Sequence, residues 1–328
     1  LFAEKVCAAL RSYHPDEATF KRYKEQLLRE LNNWSTQQPY AHASYYASLV
    51  SENMQYTVAE IVSAAQRCDL DSQRAFLPEV LARSFGKALV IGNVDTQGAE
   101  RLVQVVQNTL PFDPLPASER SVRRVAVVPP AASLRDNTAA AEVVTVNVDG
   151  CAVSTTDASQ RAKLGGYRLA YPEPNPNDDN SAAIFYFQLP SRDPQQYMHL
   201  QLLAEVLEQP FYGSLRTQQQ LGYVVDAAVR NREAVYVLSM TAQSSIVDGA
   251  ELSRRIEGFI AFEVPGIVGN LTEEEFGHFK QAIAVRRLEP DQRLTGQAGR
   301  FWGEICAVDA ASQGATSHIA LPRFARNE

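Results

Sequence analysis

The chain has 328 residues, 45% of them hydrophobic and 21% charged, which excludes a disordered or fibrous protein and suits two domains. A formal net charge of -7 argues against a nucleic-acid surface, which needs a basic face, and no apolar run approaches the ~20 residues that cross a bilayer. Four widely separated cysteines (Cys7, Cys68, Cys151, Cys306) exclude a CxxC zinc site and a dense disulfide frame, and they fit a reducing, cytoplasmic compartment.

The chain opens Leu1-Phe2-Ala3-Glu4-Lys5, with neither an initiator Met nor a signal segment. Phe2, Val6, Leu10 and Tyr13 already run at helical spacing, so the chain is expected to begin inside an element of something longer. After the break at His14-Pro15, Asp16 is placed to cap a second helix with the stripe Phe20, Tyr23, Leu27, Leu31 and Trp34. More helix is expected over residues 39–84, broken near Asp69 and Asp71. Ala88-Leu89-Val90-Ile91, ended by Gly92-Asn93, reads as a buried strand. A helix follows with Ala99, Leu102, Val103, Val106 and Leu110 on one face. The three prolines between Pro111 and Pro116 read as an interdomain linker, which divides the chain into domains 1–116 and 117–328.

Val144, Val146 and Val148 alternate with Thr145, Asn147 and Asp149, the period of a half-exposed strand. The proline-spaced loop Tyr171–Pro176 leads to a strand over Ala183–Leu189 and a helix around Tyr197–Leu207. Strands at Tyr223–Val229 and Ala234–Ala242, then helices at 247–262 and 272–288, complete the pattern. Thr272 and Glu275 have the spacing of a capping box. The arrangement is α+β, a sheet with helices grouped on one side.

Chemistry-bearing patterns are few. No two of His14, His42, His199, His278 and His318 have metal-ligand spacing, and His14-Pro15-Asp16-Glu17 lacks a second His. There is no G-x-S-x-G elbow or phosphate-binding glycine loop; Lys163–Tyr167 reads as a turn. The pairs Arg123-Arg124 and Arg286-Arg287 are too short for a nucleic-acid patch. One segment stands apart: Leu215-Arg216-Thr217-Gln218-Gln219-Gln220-Leu221-Gly222-Tyr223, at a helix–strand junction. Arg216 offers a charged fork of five donors and Tyr223 a hydroxyl, a pair suited to an oxyanion or a peptide carbonyl. The same spacing also suits a structural pair, in which Arg216 caps local carbonyls and Tyr223 opens a core strand.

That segment, with the strand after it and Gln243-Ser244, resembles the C-terminal half of insulin-degrading-enzyme-like, pitrilysin-type zinc metallopeptidases. Leu31-Asn32-Asn33-Trp34, Gln38–Ala43 with Tyr45-Tyr46, Arg74–Pro78 and Gly92-Asn93-Val94 are similar to stretches of the family's third domain. Leu271–Glu274, Arg286-Arg287-Leu288 and Phe301–Ile305 are similar to stretches of its fourth. The resemblance runs through roughly residues 1–305, weakly over 125–180. It implies two related domains, each a mainly antiparallel sheet with helices on one side, forming half of a closed chamber. The first would be truncated at its N-terminus, its opening strands absent and its sheet incomplete. After Ile305 the pattern is lost.

By motif match, Arg216 and Tyr223 would contact substrate and transition state. Zinc and its inverted H-x-x-E-H motif would come from an N-terminal catalytic half, leaving no metal or cofactor site in this chain and no peptidase activity in it alone. The implied partners are that N-terminal half and peptide substrates, with no nucleic acid and no membrane; a homodimer stays open. Two other readings remain: a catalytically inactive structural relative of the core-subunit type, and a peptide-binding module.

Overall fold

The computed structural model describes residues 2–52, 55–110, 112–120, 125, 147–148, 151–152, 169–189, 193–232 and 235–312. Of the expected features, residues 144–146, the Lys163–Tyr167 turn, the Arg123-Arg124 pair, Pro111 and His318 lie outside these. The chain separates into two compact units. The first is made of Leu1–Trp34, Val58–Val122 and Pro290–Asp309, the second of Ser35–Thr57, Arg123–Glu289 and Ala310–Glu328.

The first unit is helical. It contains α1 (Phe2–Arg11) and α2 (Glu17–Asn32); α3 (Pro39–Ser51) belongs to the second unit; then come α4 (Val58–Arg67), α5 (Leu70–Ala82) and α6 (Thr96–Thr109). Side-chain caps start three of these helices. Asp16 accepts from Thr19 N at 2.7 Å, Asp95 from Gly98 N at 2.7 Å, and Asp69 forms a capping box with Ser72. The backbone amides of Thr19 and Ser72 hold the Asp16 and Asp69 carboxyls below the usual carboxylate range.

Two expectations for this unit need correction. The half-buried face of α2 is Phe20, Lys24, Leu28 and Leu31, whereas Tyr23 and Leu27 are exposed. Lys24 sits on the inner face because its Nζ donates to the carbonyls of Gln66 (2.8 Å) and Cys68 (2.6 Å), which end α4. Those carbonyls have no partner within the helix, and an ammonium also suits the negative end of its dipole. Second, Ala88–Ile91 is not a strand: an apolar run needs a ladder partner for its backbone, and none pairs with it among the described residues. The pairing that does form is short and parallel, β1 (Arg83–Ser84) with β2 (Asp113–Pro114). Leu115 N extends it to Ser84 O (3.2 Å), and the Arg120 guanidinium lies 3.7 Å from the Phe85 ring centroid. The proline segment is thus fastened within the first unit, which continues to Val122.

The second unit is built on a sheet. Besides the hairpin β3 (Asn147–Val148) and β4 (Cys151–Ala152), it contains β5 (Ser181–Leu189), β6 (Val224–Arg232) and β7 (Val235–Ser244), antiparallel in the order β5-β7-β6. The register aligns Ala183, Ala242 and Val225, then Phe185, Met240 and Ala227, then Phe187, Leu238 and Val229, so the middle of one face is apolar. Onto this face pack α7 (Pro194–Tyr212) through Leu203, Ala204 and Leu207, and α8 (Gly249–Gly258) through Leu252 and Ile256. The opposite face of β7 carries Ser239, Thr241 and Gln243, all buried. There α3 packs, with Tyr40 N donating to Gln243 Oε1 at 3.1 Å and Gln243 Nε2 to Gln38 Oε1 at 2.7 Å.

The helix expected over 247–262 is α8, a widened π turn at Phe259–Glu263, and α9 (Val264–Gly269). Next comes α10 (Glu273–Leu288), with the Thr272–Glu275 capping box formed. It is tied to α7 by Arg286 to Glu205 (2.5 Å) and Arg287 to the Tyr197 hydroxyl (2.7 Å). The Glu205 carboxylate, hydrogen-bonded to it, raises the Arg286 pKa further. Lastly α11 (Leu294–Ser312) returns to the first unit.

Candidate functional site

The segment carrying Arg216 and Tyr223 is shaped by three backbone features. The helix α7 widens after Tyr212 into a π turn over Gly213–Gln218. The chain then reverses at Gln220, whose φ of 53° is left-handed. Finally Gly222 meets β7 so closely that an added Cβ would lie 2.1 Å from the Gln243 carbonyl oxygen. Only glycine fits there. Leu215 and Leu221 bury their side chains in the core, and Leu221 N donates to Leu215 O at 3.1 Å. The reversal is therefore anchored from below while its polar residues face out.

Arg216 and Tyr223 are brought together. Arg216 Nη1 donates to the Tyr223 carbonyl at 2.9 Å, and its guanidinium carbon lies 4.6 Å from the Tyr223 ring centroid. The Tyr212 ring lies 5.2 Å from the same carbon, so two aromatic rings flank the fork. Tyr223 is 87% exposed and stands just before β6, outside the core. With Nη1 engaged, the remaining N–H groups of Arg216 and the Tyr223 hydroxyl are donors that a carbonyl or oxyanion could use.

A second polar cluster carried no sequence signal. His42, on α3, is 2% exposed and has Nδ1 2.9 Å from Glu173 Oε1. The Tyr171 ring stacks on Tyr46 at 3.9 Å, nearly parallel, so the proline-spaced loop docks on α3. The Asp178 carboxyl is held below its usual range chiefly by the Asn180 amide, then by the Asn180 side chain, with a smaller contribution from His42. Residues 42 and 173 lie too far apart in the chain for any spacing rule to join them. Among the described residues, no group of three or more His, Cys, Asp or Glu could hold a metal ion, and no helix is long and apolar enough to cross a membrane.

Comparison with known proteins places these features in context. Residues 1–64 match the family model described as the middle or third domain of peptidase_M16, and residues 202–302 match that of the PQQ synthase PqqF-like C-terminal lobe domain 4. Human insulin-degrading enzyme is 26% identical over 311 residues, covering 93% of this chain and 27% of that protein. The peroxisomal insulin-degrading enzyme-like 1 of Arabidopsis thaliana is 26% identical over 315 residues, 93% of this chain and 29% of that protein. The chain thus spans little more than a quarter of the curated relatives it matches. The crystal structure of pitrilysin superposes with a TM-score of 0.67 at 18% identity, covering 92% of this chain and 29% of that one, which establishes the shared α+β fold. The middle-domain match, the C-terminal-lobe match that follows it and the insulin-degrading-enzyme relatives together identify this chain as a fragment similar to the insulin-degrading-enzyme-like, M16-type metallopeptidases.

Proposed function

We propose that this chain is the non-zinc-binding half of a zinc metalloendopeptidase that degrades peptides inside a closed chamber, with Arg216 and Tyr223 contacting the substrate and its tetrahedral intermediate. The observation that carries the reading is the exposed Tyr223 side chain, held from behind by the Arg216 guanidinium. An aromatic residue that is solvent-facing yet fixed by a permanent cation suits a preorganised contact more than a packing element. Zinc, the attacking water and its general base would come from the N-terminal half. Among the described residues, no group of three or more His, Cys, Asp or Glu could hold that metal.

In this reading the chain contributes donors, and substrate peptide is the partner they meet. The domain division at 116/117 and a cytoplasmic setting belong to the same proposal. Tyr223→Phe in the intact protein tests it: turnover should fall about 10²-fold, the cost of one lost oxyanion donor, with the melting temperature unchanged. Wild-type turnover would remove Tyr223 from the site, and an upstream half without H-x-x-E-H would make the protein a structural relative. The chain alone should lack peptidase activity; a chelator-sensitive rate from the purified chain overturns that division of labour.

A further inference from the structure

We propose that Ser214 and Glu263 are positioning residues: their hydrogen bond clasps two widened helical turns together and so aims Arg216 at Tyr223. The kinetic consequence rests on the function proposed above, whereas the geometric one does not. Widened π turns are rare and concentrate at functional sites. The described residues of this unit contain two, Gly213–Gln218 and Phe259–Glu263, and Ser214 lies in the first while Glu263 ends the second.

Ser214 is 3% exposed, and its Oγ donates to Glu263 Oε1 at 2.8 Å. The same oxygen accepts from Gln219 Nε2 at 3.2 Å, and Gln219 N donates to the Ser214 carbonyl at 3.0 Å. Gln219 Oε1 in turn accepts from Arg255 Nη1 at 3.3 Å, and Arg255 Nε is fixed by Glu251 at 2.5 Å. A hydroxyl has one proton to give, and here it leaves its own helix for Glu263 instead of bonding back to the preceding turn. Beneath the clasp, Phe211 and Phe259 meet edge to face with ring centroids 5.1 Å apart.

Arg216 lies between Ser214 and Gln219, inside this bracket. The extra residue that widens the turn sets the direction of everything downstream, because each helical residue advances the side chain by about 100°. A turn that relaxed to ordinary α geometry would therefore swing the guanidinium away from the Tyr223 carbonyl. A simple tertiary staple would behave differently: its loss would lower stability and leave Arg216 in place.

The test uses Ser214→Ala, Glu263→Ala and Glu263→Gln, made in this chain for crystallography and in the intact protein for kinetics. In both alanine variants Arg216 Nη1 is expected to withdraw from Tyr223 O beyond hydrogen-bond reach, about 3.5 Å. Turnover should fall about 10²-fold, the penalty of a misplaced group, with KM little changed. Glu263→Gln keeps an acceptor oxygen at the same reach and should retain both geometry and rate. If Ser214→Ala fails to fold, the exposed Glu263→Ala decides alone. Arg216 still on the Tyr223 carbonyl in the alanine variants overturns the clasp, as does a Glu263→Gln variant as impaired as Glu263→Ala. Displaced Arg216 with wild-type kinetics leaves the clasp standing and defeats the assigned role of Arg216 in peptide cleavage.

Discussion

The two units contain amphipathic helices of similar kind, yet they bury their apolar residues very differently. In the second, Phe211, Leu215, Met240, Leu252, Ile256 and Phe259 are almost wholly removed from water. In the first, no described hydrophobic side chain is so fully buried, Cys7 at 8% exposure coming nearest, while Phe2, Val6, Leu10, Tyr23, Leu27 and Phe76 are exposed. The cause is architectural. A three-stranded sheet gives the second unit a flat apolar platform on which α7 and α8 lie; among the described residues the first has only the two-residue pairing of β1 with β2. Periodicity creates a face, but burial needs a second layer to cover it.

The largest test of this contrast pairs two phenylalanines. Phe211→Ala, at a fully buried position, should cost about 3–5 kcal/mol, whereas Phe76→Ala, at a position 61% exposed on α5, should stay within about 0.5 kcal/mol. Urea denaturation of each variant measures the difference, and equal costs would erase the contrast. Next is Gly222→Ala, where the new methyl would collide with a backbone oxygen that cannot move without disturbing β7. A loss of about 3 kcal/mol follows from overpacking; a neutral variant would refute the close approach. In the first unit the corresponding effects are polar and smaller. Lys24→Ala should cost about 0.5–1 kcal/mol, because water can take over part of the bonding to the two carbonyls at the end of α4. Faster hydrogen exchange limited to the end of α4 would mark that origin, and unchanged exchange would dismiss it.

The smallest effect is acidic. Asp16 and Asp69 have pKa values lowered by amides present only in the folded helices. A depressed carboxylate stabilises the fold above its unfolded pKa, about 3.9, and that contribution disappears as pH falls through the lower folded value. Protection at the starts of α2 and α5 should therefore hold between pH 8 and 5 and weaken below about 4. Equal protection at pH 5 and pH 3, corrected for intrinsic exchange, would show that the caps contribute nothing.

Local chemistry was the legible part of the sequence. Asp16 and the Thr272–Glu275 box start the helices they were expected to start, and the strand expected over Tyr223–Val229 forms as Val224–Arg232. What escaped depends on distant partners. Nothing in Ala88–Ile91 says whether another strand will lie beside it, and nothing in the spacing of α2 reveals that Lys24 turns inward to two carbonyls at the end of α4. At the candidate site, the pairing of Arg216 with Tyr223 could be suspected from residue types. The widened turn that makes it possible could not, because one additional residue per turn leaves no mark in a periodicity already broken by Pro210 and Gly213.

Gln243 carries a consequence for how β7 can vary. Its backbone joins the ladder on both sides, its carbonyl covers Gly222, and its side chain holds the start of α3. Side chains alternate strictly along a strand, so a slip of one position would send that amide into the apolar face beside Met240 and Ala242. The same slip would bring a different carbonyl over Gly222. β7 is in effect a keyed shaft: substitutions along it can be tolerated one at a time, but a single inserted or deleted residue would unseat α3 and the Arg216 segment together.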